Sequence, residues 1–372
     1  MIYETPTRME VSLANVRHNW NEVVKLAGSR GVYAVIKADA YGHGAVKLSR
    51  VYRDAGCKSF AVARVDEAIE LRESGITEPI LVLGQAPMDS VDAALHYDIT
   101  CACAEMSYAD TLSRAAIALG KKGKIHVKID TGMSRLGFKP KEFERYADTL
   151  FSLPGVEVDG IFTHYAVADE ARGDYTDMQF ERFGQTLAFL EKKGLKARVR
   201  HTCNSAGILA HPDKYLDAVR PGIMLYGVCP LPATPEGVHL KPTFAFKSAV
   251  ASVHDTAQGS GVGYGLRYIS RGDERTALVP VGYGDGWTRT LSFKTHALIR
   301  GQRCPVVGTI CMDQMMVDVT ALDHTEPGDE VVLIGTQGEQ SITVEEIAHA
   351  RETIPYEIPI ALLKRVRRVY IE

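Results

Sequence analysis

Along the first part of the chain, short runs of nearly continuous apolar residues alternate with segments whose apolar positions recur every three or four residues. The runs are Val32–Ala38, Phe60–Ala63, Ile80–Leu83, Ile99–Cys103, Ile125–Ile129, Gly160–Tyr165, Val199–Thr202 and Ala218–Ile223. Strands buried on both faces read this way, whereas half-exposed strands alternate polar and apolar. The intervening segments, such as Val65–Glu73, Met106–Leu119 and Asp177–Lys192, have helical length and spacing. A further helix precedes them from Leu13 to Leu26, with Leu13, Val16, Trp20, Val23 and Val24 on one face, Ser12 as N-cap and Gly28 as stop. Eight β-then-α units predict an α/β fold, a parallel (β/α)8 barrel of the TIM type.

The pattern then changes. Pro230, Pro232, Pro235 and Pro242 fall close together and read as a linker, because proline lacks a backbone donor and breaks helices. Strand-like runs follow at Phe244–Val253, Ala277–Val281, Ala297–Ile299, Met315–Val319 and Glu330–Ile334, with one helix after Thr343 through Val344, Ile347 and Ala348. The domain reading is a short strand over residues 1–10 packing with the C-terminal domain, a barrel over 11–235 and a mainly β domain over 243–372.

Composition narrows the function classes. The 372 residues are 45% hydrophobic and 24% charged, the balance of a globular protein and not of a disordered one. The formal charge is −3, so no basic excess points to nucleic acid. The densest basic cluster, Lys364 to Arg368, is short and interleaved with valine, no apolar run approaches the ~20 residues that span a bilayer, and the start lacks a signal-peptide pattern. A cytoplasmic protein without membrane or nucleic-acid partners is expected. Seven cysteines without a CxxC pair fit reduced thiols, and no spaced Cys/His set argues for a metal.

In a closed barrel, chemistry gathers where strands end at their C-terminal side. Lys37 ends the first run, and a lysine there is either a solvated strand-end residue or a Schiff-base nucleophile kept reactive by desolvation. Lys128 and Asp130 end the fifth run, Arg135 follows, and a lumen-facing Lys128 needs a partner or a modification. His164 ends the sixth and, taken alone, reads as a satisfied core histidine. Asn204 and Ser205 follow the seventh, and Arg220 and Gly222 lie at the eighth. Asn204-Ser205-Ala206-Gly207 with Gly222-Ile223 suits a phosphate held by backbone N–H groups, against the simpler reading of a helix cap. No Walker loop, GxGxxG, GxSxG or HExxH is present.

Lys37 lies in Ala34-Val35-Ile36-Lys37-Ala38-Asp39-Ala40-Tyr41-Gly42-His43-Gly44, which resembles the cofactor-attachment motif of alanine racemases, the fold-type III pyridoxal-phosphate enzymes. Further matching motifs run through Lys128–Gly137, His164-Tyr165-Ala166, Asn204-Ser205, Arg220–Gly227, Gly261–Gly265, Gly282–Gly286, Cys311–Gln314 and Tyr356-Glu357-Ile358. The resemblance implies an isomerase that interconverts L- and D-alanine by two-base proton transfer on pyridoxal 5'-phosphate and supplies D-alanine for cell-wall peptidoglycan. It implies a homodimer with shared sites. Lys37 would hold the cofactor as a Schiff base and act as one acid/base group, and Tyr264 of the second subunit would be the other.

The same resemblance assigns Tyr41, Ser205, Gly222, Ile223 and Tyr356 to the phosphate, with Asn204 beside it. Arg220 would face the pyridine nitrogen, and His164 would link Arg220 to Tyr264. Arg135 and the backbone of Met312 would hold the substrate carboxylate, Lys128 is a candidate for carbamylation, and Tyr283 and Asp313 would lie near the entrance. Gly263 stands where the family more often has Ser, which predicts a looser backbone at Tyr264. Competing readings are a serine or broad-specificity racemase, a pyridoxal-phosphate decarboxylase, against which Arg220 argues, and a non-catalytic cofactor carrier.

Overall fold

The computed structural model describes residues 5–170 and 174–372. They form two compact units. One runs Val16–Lys241, and the other joins the residues up to Asn15 to Pro242–Glu372.

In the first unit, Gly31–Val35, Ser59–Val62, Ile80–Gln85, Thr100–Cys103, Gly123–Lys128, Val156–Phe162, Val199–His201 and Ala218–Val219 form a closed parallel barrel. Closure comes from pairing of the first and last strands, Gly31 with Ala218 and Val32 with Val219. Interior strand residues such as Ala34, Phe60, Val82, Ala102, Ile125 and Ile161 are fully buried, which is why these runs carry so few polar residues. The strands stop earlier than their apolar runs. The first ends at Val35, not Ala38, and the last at Val219, not Ile223, because the residues beyond turn into the loops over the barrel end. The opening helix spans Leu13–Ala27, and Ser12 Oγ accepts a bond from Asn15 N at 3.2 Å. Val24, assigned to its apolar face, is 40% exposed; Leu13, Val16, Trp20 and Val23 are buried.

The second unit is built on a ten-stranded, mostly antiparallel sheet. Arg8–Ser12 lies in it between Phe244–Ala249, antiparallel, and Arg367–Ile371, parallel. The apolar run 244–253 is two strands. Phe244–Ala249 pairs with Glu330–Gln337, and Ser252–Thr256 pairs with Glu274–Val279. Trp287 packs against Phe246 with ring centroids 5.7 Å apart, and Val331, Leu333, Leu298 and Val317 are buried in the same unit. The helix after Thr343 spans Val344–Arg351, with Thr343 Oγ1 accepting from Glu346 N at 3.1 Å. A separate two-stranded ribbon, Gly261–Val262 with Tyr268–Ile269, presents Tyr264 at its tip.

Candidate active site

Lys37 opens a turn whose handedness is unusual. Ala38, Asp39, Ala40 and Tyr41 have φ of 51°, 53°, 52° and 53°, so four consecutive non-glycine residues lie in the left-handed region. Each such residue costs about 1–2 kcal/mol, and the surroundings must hold it there. Glu67 ties the start of the turn to the neighbouring strand end. Its carboxylate accepts from the N–H of Ala38 at 2.6 Å, of Ala63 at 2.7 Å and of Arg64 at 3.1 Å. Asp39 Oδ1 accepts from Ala45 N at 2.6 Å, and Ile36 O accepts from Ala40 N at 2.9 Å.

The turn leaves Lys37 half-buried, with its amine 6.0 Å from the Tyr41 ring centre. Burial and the cation of Arg135 lower the Lys37 pKa, against a smaller opposing pull from Glu67. Tyr41 is buried, its ring 4.6 Å from that of Tyr226. Its hydroxyl passes so close over Gly222 that a Cβ there would stand 2.5 Å away. Ser205 Oγ accepts from Gly222 N at 2.8 Å and from Met224 N at 3.5 Å. Ile223 is buried and begins the short turn Ile223–Tyr226. Two hydroxyls and a run of backbone donors thus converge at the start of that turn. Asn204 caps the helix Ser205–Ala210 through Oδ1, which accepts from Gly207 N at 2.9 Å.

Arg220 is buried, and burial pushes its pKa down to about 10. Its Nη2 donates to the carbonyls of Thr163 and Thr202, each at 2.8 Å, and lies 3.2 Å from His164 Nδ1. Nη1 meets His201 Nδ1 at 2.6 Å. These contacts run through Nη1 and Nη2 and none through Nε. Lys128 is buried too, with Nζ 4.5 Å from the Phe162 ring, and Arg220 lies 5.3 Å from the same ring. Burial lowers the Lys128 pKa strongly, reinforced by Arg220 and Arg135. Asp130, next but one in sequence, pairs instead with Lys139 at 2.5 Å. His164 is half-buried and is kept neutral by desolvation and by the cations Lys128, Arg220, Arg135 and Lys37. Arg135 itself is exposed. The barrel end therefore concentrates four basic side chains with few acids, a field that favours anionic ligands.

Tyr264, Tyr283, Met312, Asp313 and Tyr356 all lie in the second unit. Tyr264 is 73% exposed and Met312 53%. Tyr264, Tyr283, Met312 and Asp313 line an open cleft of about 650 Å³ that Arg289 also borders. The turn Gly282–Gly286 and the loop Cys311–Gln314 are joined by Tyr283 N to Cys311 O at 3.0 Å and Gly284 N to Met312 O at 2.8 Å. Arg365 fastens both, reaching Asp285 at 2.6 and 3.0 Å and Asp313 at 2.8 Å. Tyr356 is half-buried and precedes the helix Glu357–Ala361. Gly263 has φ 75° and ψ −175°, a region open almost only to glycine. Glycine adopts this conformation without the steric cost that a Cβ would add.

Sequence reasoning missed Glu67, His126, Asp159, His201 and Arg365. Two histidines inside near-continuous apolar strands, His126 and His201, were the available signal, since a buried polar group must find partners. Glu67 and Arg365 sit on polar stretches where nothing local distinguishes them.

Residues 11–230 match the model of the alanine racemase N-terminal domain, and residues 243–370 match that of the C-terminal domain. Alanine racemase 2 of Caldanaerobacter subterraneus subsp. tengcongensis is 41% identical over 368 residues, covering 98% of this chain and 95% of the relative. The solved alanine racemase of Clostridium difficile 630 superposes with a TM-score of 0.95 at 38% identity, covering 100% of this chain and 97% of that one. The structure from Bartonella henselae, described as having covalently bound pyridoxal phosphate, gives a TM-score of 0.90 at 30% identity over 99% and 100% of the two chains. Barrel, β domain and full-length likeness lead to one assignment: the chain belongs to the alanine racemase family, isomerases that interconvert the enantiomers of alanine.

Proposed function

We propose that this protein racemises alanine with pyridoxal 5'-phosphate held on Lys37, as a homodimer in the cytoplasm, and thereby supplies D-alanine for peptidoglycan. The observation that carries this reading is the pairing of a desolvated Lys37 with a cradle for a phosphate. Tyr41, Ser205 and the backbone of Gly222 and Ile223 converge where a Cβ would not fit, and the surrounding cations favour a dianion. Tyr356 is assigned to the same phosphate and Asn204 to the shape of the loop beneath it. When bound, the cofactor's conjugated ring withdraws electrons from the substrate Cα and makes its proton removable.

This chain's side chains do the rest. Racemisation removes a proton from one face of Cα and returns one on the other, so two groups must flank it. Lys37, whose pKa burial and Arg135 lower, is the base on one face. The phenol of Tyr264, exposed and therefore available to a second copy, is the group on the other face. Arg220 would face the ring nitrogen of the bound cofactor, where a fixed cation would disfavour protonation of that nitrogen. His164 carries the hydrogen-bond chain from Arg220 towards the partner's phenol. Arg135 and the backbone N–H of Met312 hold the substrate carboxylate, while Tyr283 and Asp313 flank the way in. Lys128, buried among cations, is the residue for which carbamylation would relieve the most strain, turning a cation into an anion able to bind Arg135.

Borohydride reduction of the purified, cofactor-loaded protein tests the centre of this reading. The expected result is loss of the visible absorption and a reduced pyridoxyl label on the peptide containing Lys37. A label on any other lysine, or no uptake of pyridoxal phosphate at all, would refute it.

A further inference from the structure

We propose that Asp159, His126 and His201 form a buried hydrogen-bond relay that orients Arg220 and supplies the counter-charge its guanidinium otherwise lacks. His201 Nδ1 faces Arg220 Nη1 at 2.6 Å, and its Nε2 lies 2.7 Å from His126 Nδ1. His126 Nε2 is 3.3 Å from Asp159 Oδ2. Asp159 is also held by Arg198, whose Nε and Nη2 donate to its two oxygens at 2.7 and 2.8 Å. The relay thus runs from a surface ion pair, across the inside of the barrel, to the arginine at its functional end.

The direction of every proton in it follows from the arginine. A guanidinium only donates, so His201 Nδ1 must accept and the His201 proton sits on Nε2. That proton requires His126 Nδ1 to accept in turn, which places the His126 proton on Nε2, pointing at Asp159. A charged imidazolium at either position would set two N–H groups against each other. Both rings are buried, and burial together with the neighbouring cations holds each below its usual pKa. Each link is thereby polarised towards one carboxylate, which makes His201 Nδ1 a stronger acceptor for Arg220. No carboxylate among the described residues touches Arg220 directly.

The surroundings are shaped for these rings. Gly160 pairs with His126 across the barrel sheet, and a Cβ on Gly160 would stand 2.5 Å from the imidazole. The sequence Asp159-Gly160 thus supplies both the terminal acceptor and the space for the ring. His201 is sandwiched between Phe162, 4.7 Å away and nearly parallel, and Tyr33, 5.5 Å away. A ring clamped on both faces keeps its nitrogens in line with both partners.

In this scheme Asp159 and His126 are positioning residues, acting on the reaction only through Arg220, and that consequence rests on the proposed function above. Two measurements separate the two ideas. The first needs no cofactor: with the imidazole nitrogens isotopically labelled, His126 and His201 should both show the Nε2–H tautomer at neutral pH in long-range proton–nitrogen spectra. An Nδ1–H tautomer at either residue overturns the relay. The second uses the cofactor-loaded enzyme. Asp159→Asn should lower kcat by about tenfold, as for one weakened charge-assisted bond, with KM for alanine within about twofold. It should also alter the His126 and His201 resonances. Arg198→Ala, which leaves the Asp159–His126 bond in place, should retain kcat. Unchanged kcat in Asp159→Asn per loaded site overturns the positioning role. If the tautomers are as drawn but the unsubstituted protein takes up no pyridoxal phosphate, the functional reading fails and the relay stands as a brace for Arg220.

Discussion

His164, His126 and His201 illustrate how single residues at this barrel end set the acid limit of the fold. Each is held neutral in the native state, mainly by burial and then by the cations around it, although Asp159 pulls His126 the other way. The sign follows from proton counting. With folded-state values depressed, the unfolded chain binds protons below an ordinary histidine pKa of about 6.5 while the native state does not. The histidines' contribution to stability is therefore full above about pH 6.5 and is lost as the pH falls below it. Lys128 acts with the same sign at the alkaline end, since the unfolded lysine binds a proton up to its usual range and the buried one does so less readily. Urea unfolding of the cofactor-free protein at a series of pH values from about 7.5 to about 5 should show stability falling through this window. A profile that stays flat until carboxylates titrate would mean that these histidines are not held neutral.

At the scale of elements, the left-handed turn after Lys37 is a run of four strained residues, and Glu67 anchors its first N–H to the neighbouring strand end and helix start. Three backbone donors converge on its carboxylate, and Gln has one carbonyl oxygen for them where Glu has two charged ones. Glu67→Gln is expected to cost about 2–3 kcal/mol of stability and to speed amide exchange in the segment from Lys37 to Gly42. Exchange rates unchanged there would show that the turn is held by its other contacts. This turn also marks the limit of what was legible. Barrel strands could be read because burial on both faces removes polar residues, as at Ile80, Leu81 and Val82. The left-handed turn could not, since Ala38, Asp39, Ala40 and Tyr41 carry no local preference for that region. Strands such as Gln302–Val307 and Arg367–Ile371 were missed for a different reason. Their charged residues, Arg303, Arg367 and Arg368, interrupt the apolar pattern. Of the site, the residues on loops at strand ends were legible from position and motif, while the relay behind Arg220 was hidden in pairings between distant strands.

For the whole molecule, the question is whether one chain can complete a site by itself. Lys37 belongs to the barrel unit and Tyr264 to the β unit, where it stands 73% exposed at the tip of a two-stranded ribbon. If each site takes Lys37 from one chain and Tyr264 from the other, two inactive variants can repair each other. A dimer of one Lys37→Ala chain and one Tyr264→Phe chain would have one site with both defects and one site with neither. Random exchange of equal amounts makes half of the dimers mixed, so activity should return to about a quarter of the unsubstituted enzyme, following the two-fold symmetry of such a dimer. The measurement is racemisation before and after subunit exchange, each variant alone serving as the blank. Were both groups drawn from the same chain, every site in every dimer would keep its defect and mixing would restore nothing. Recovery after exchange therefore reports on the origin of the two bases.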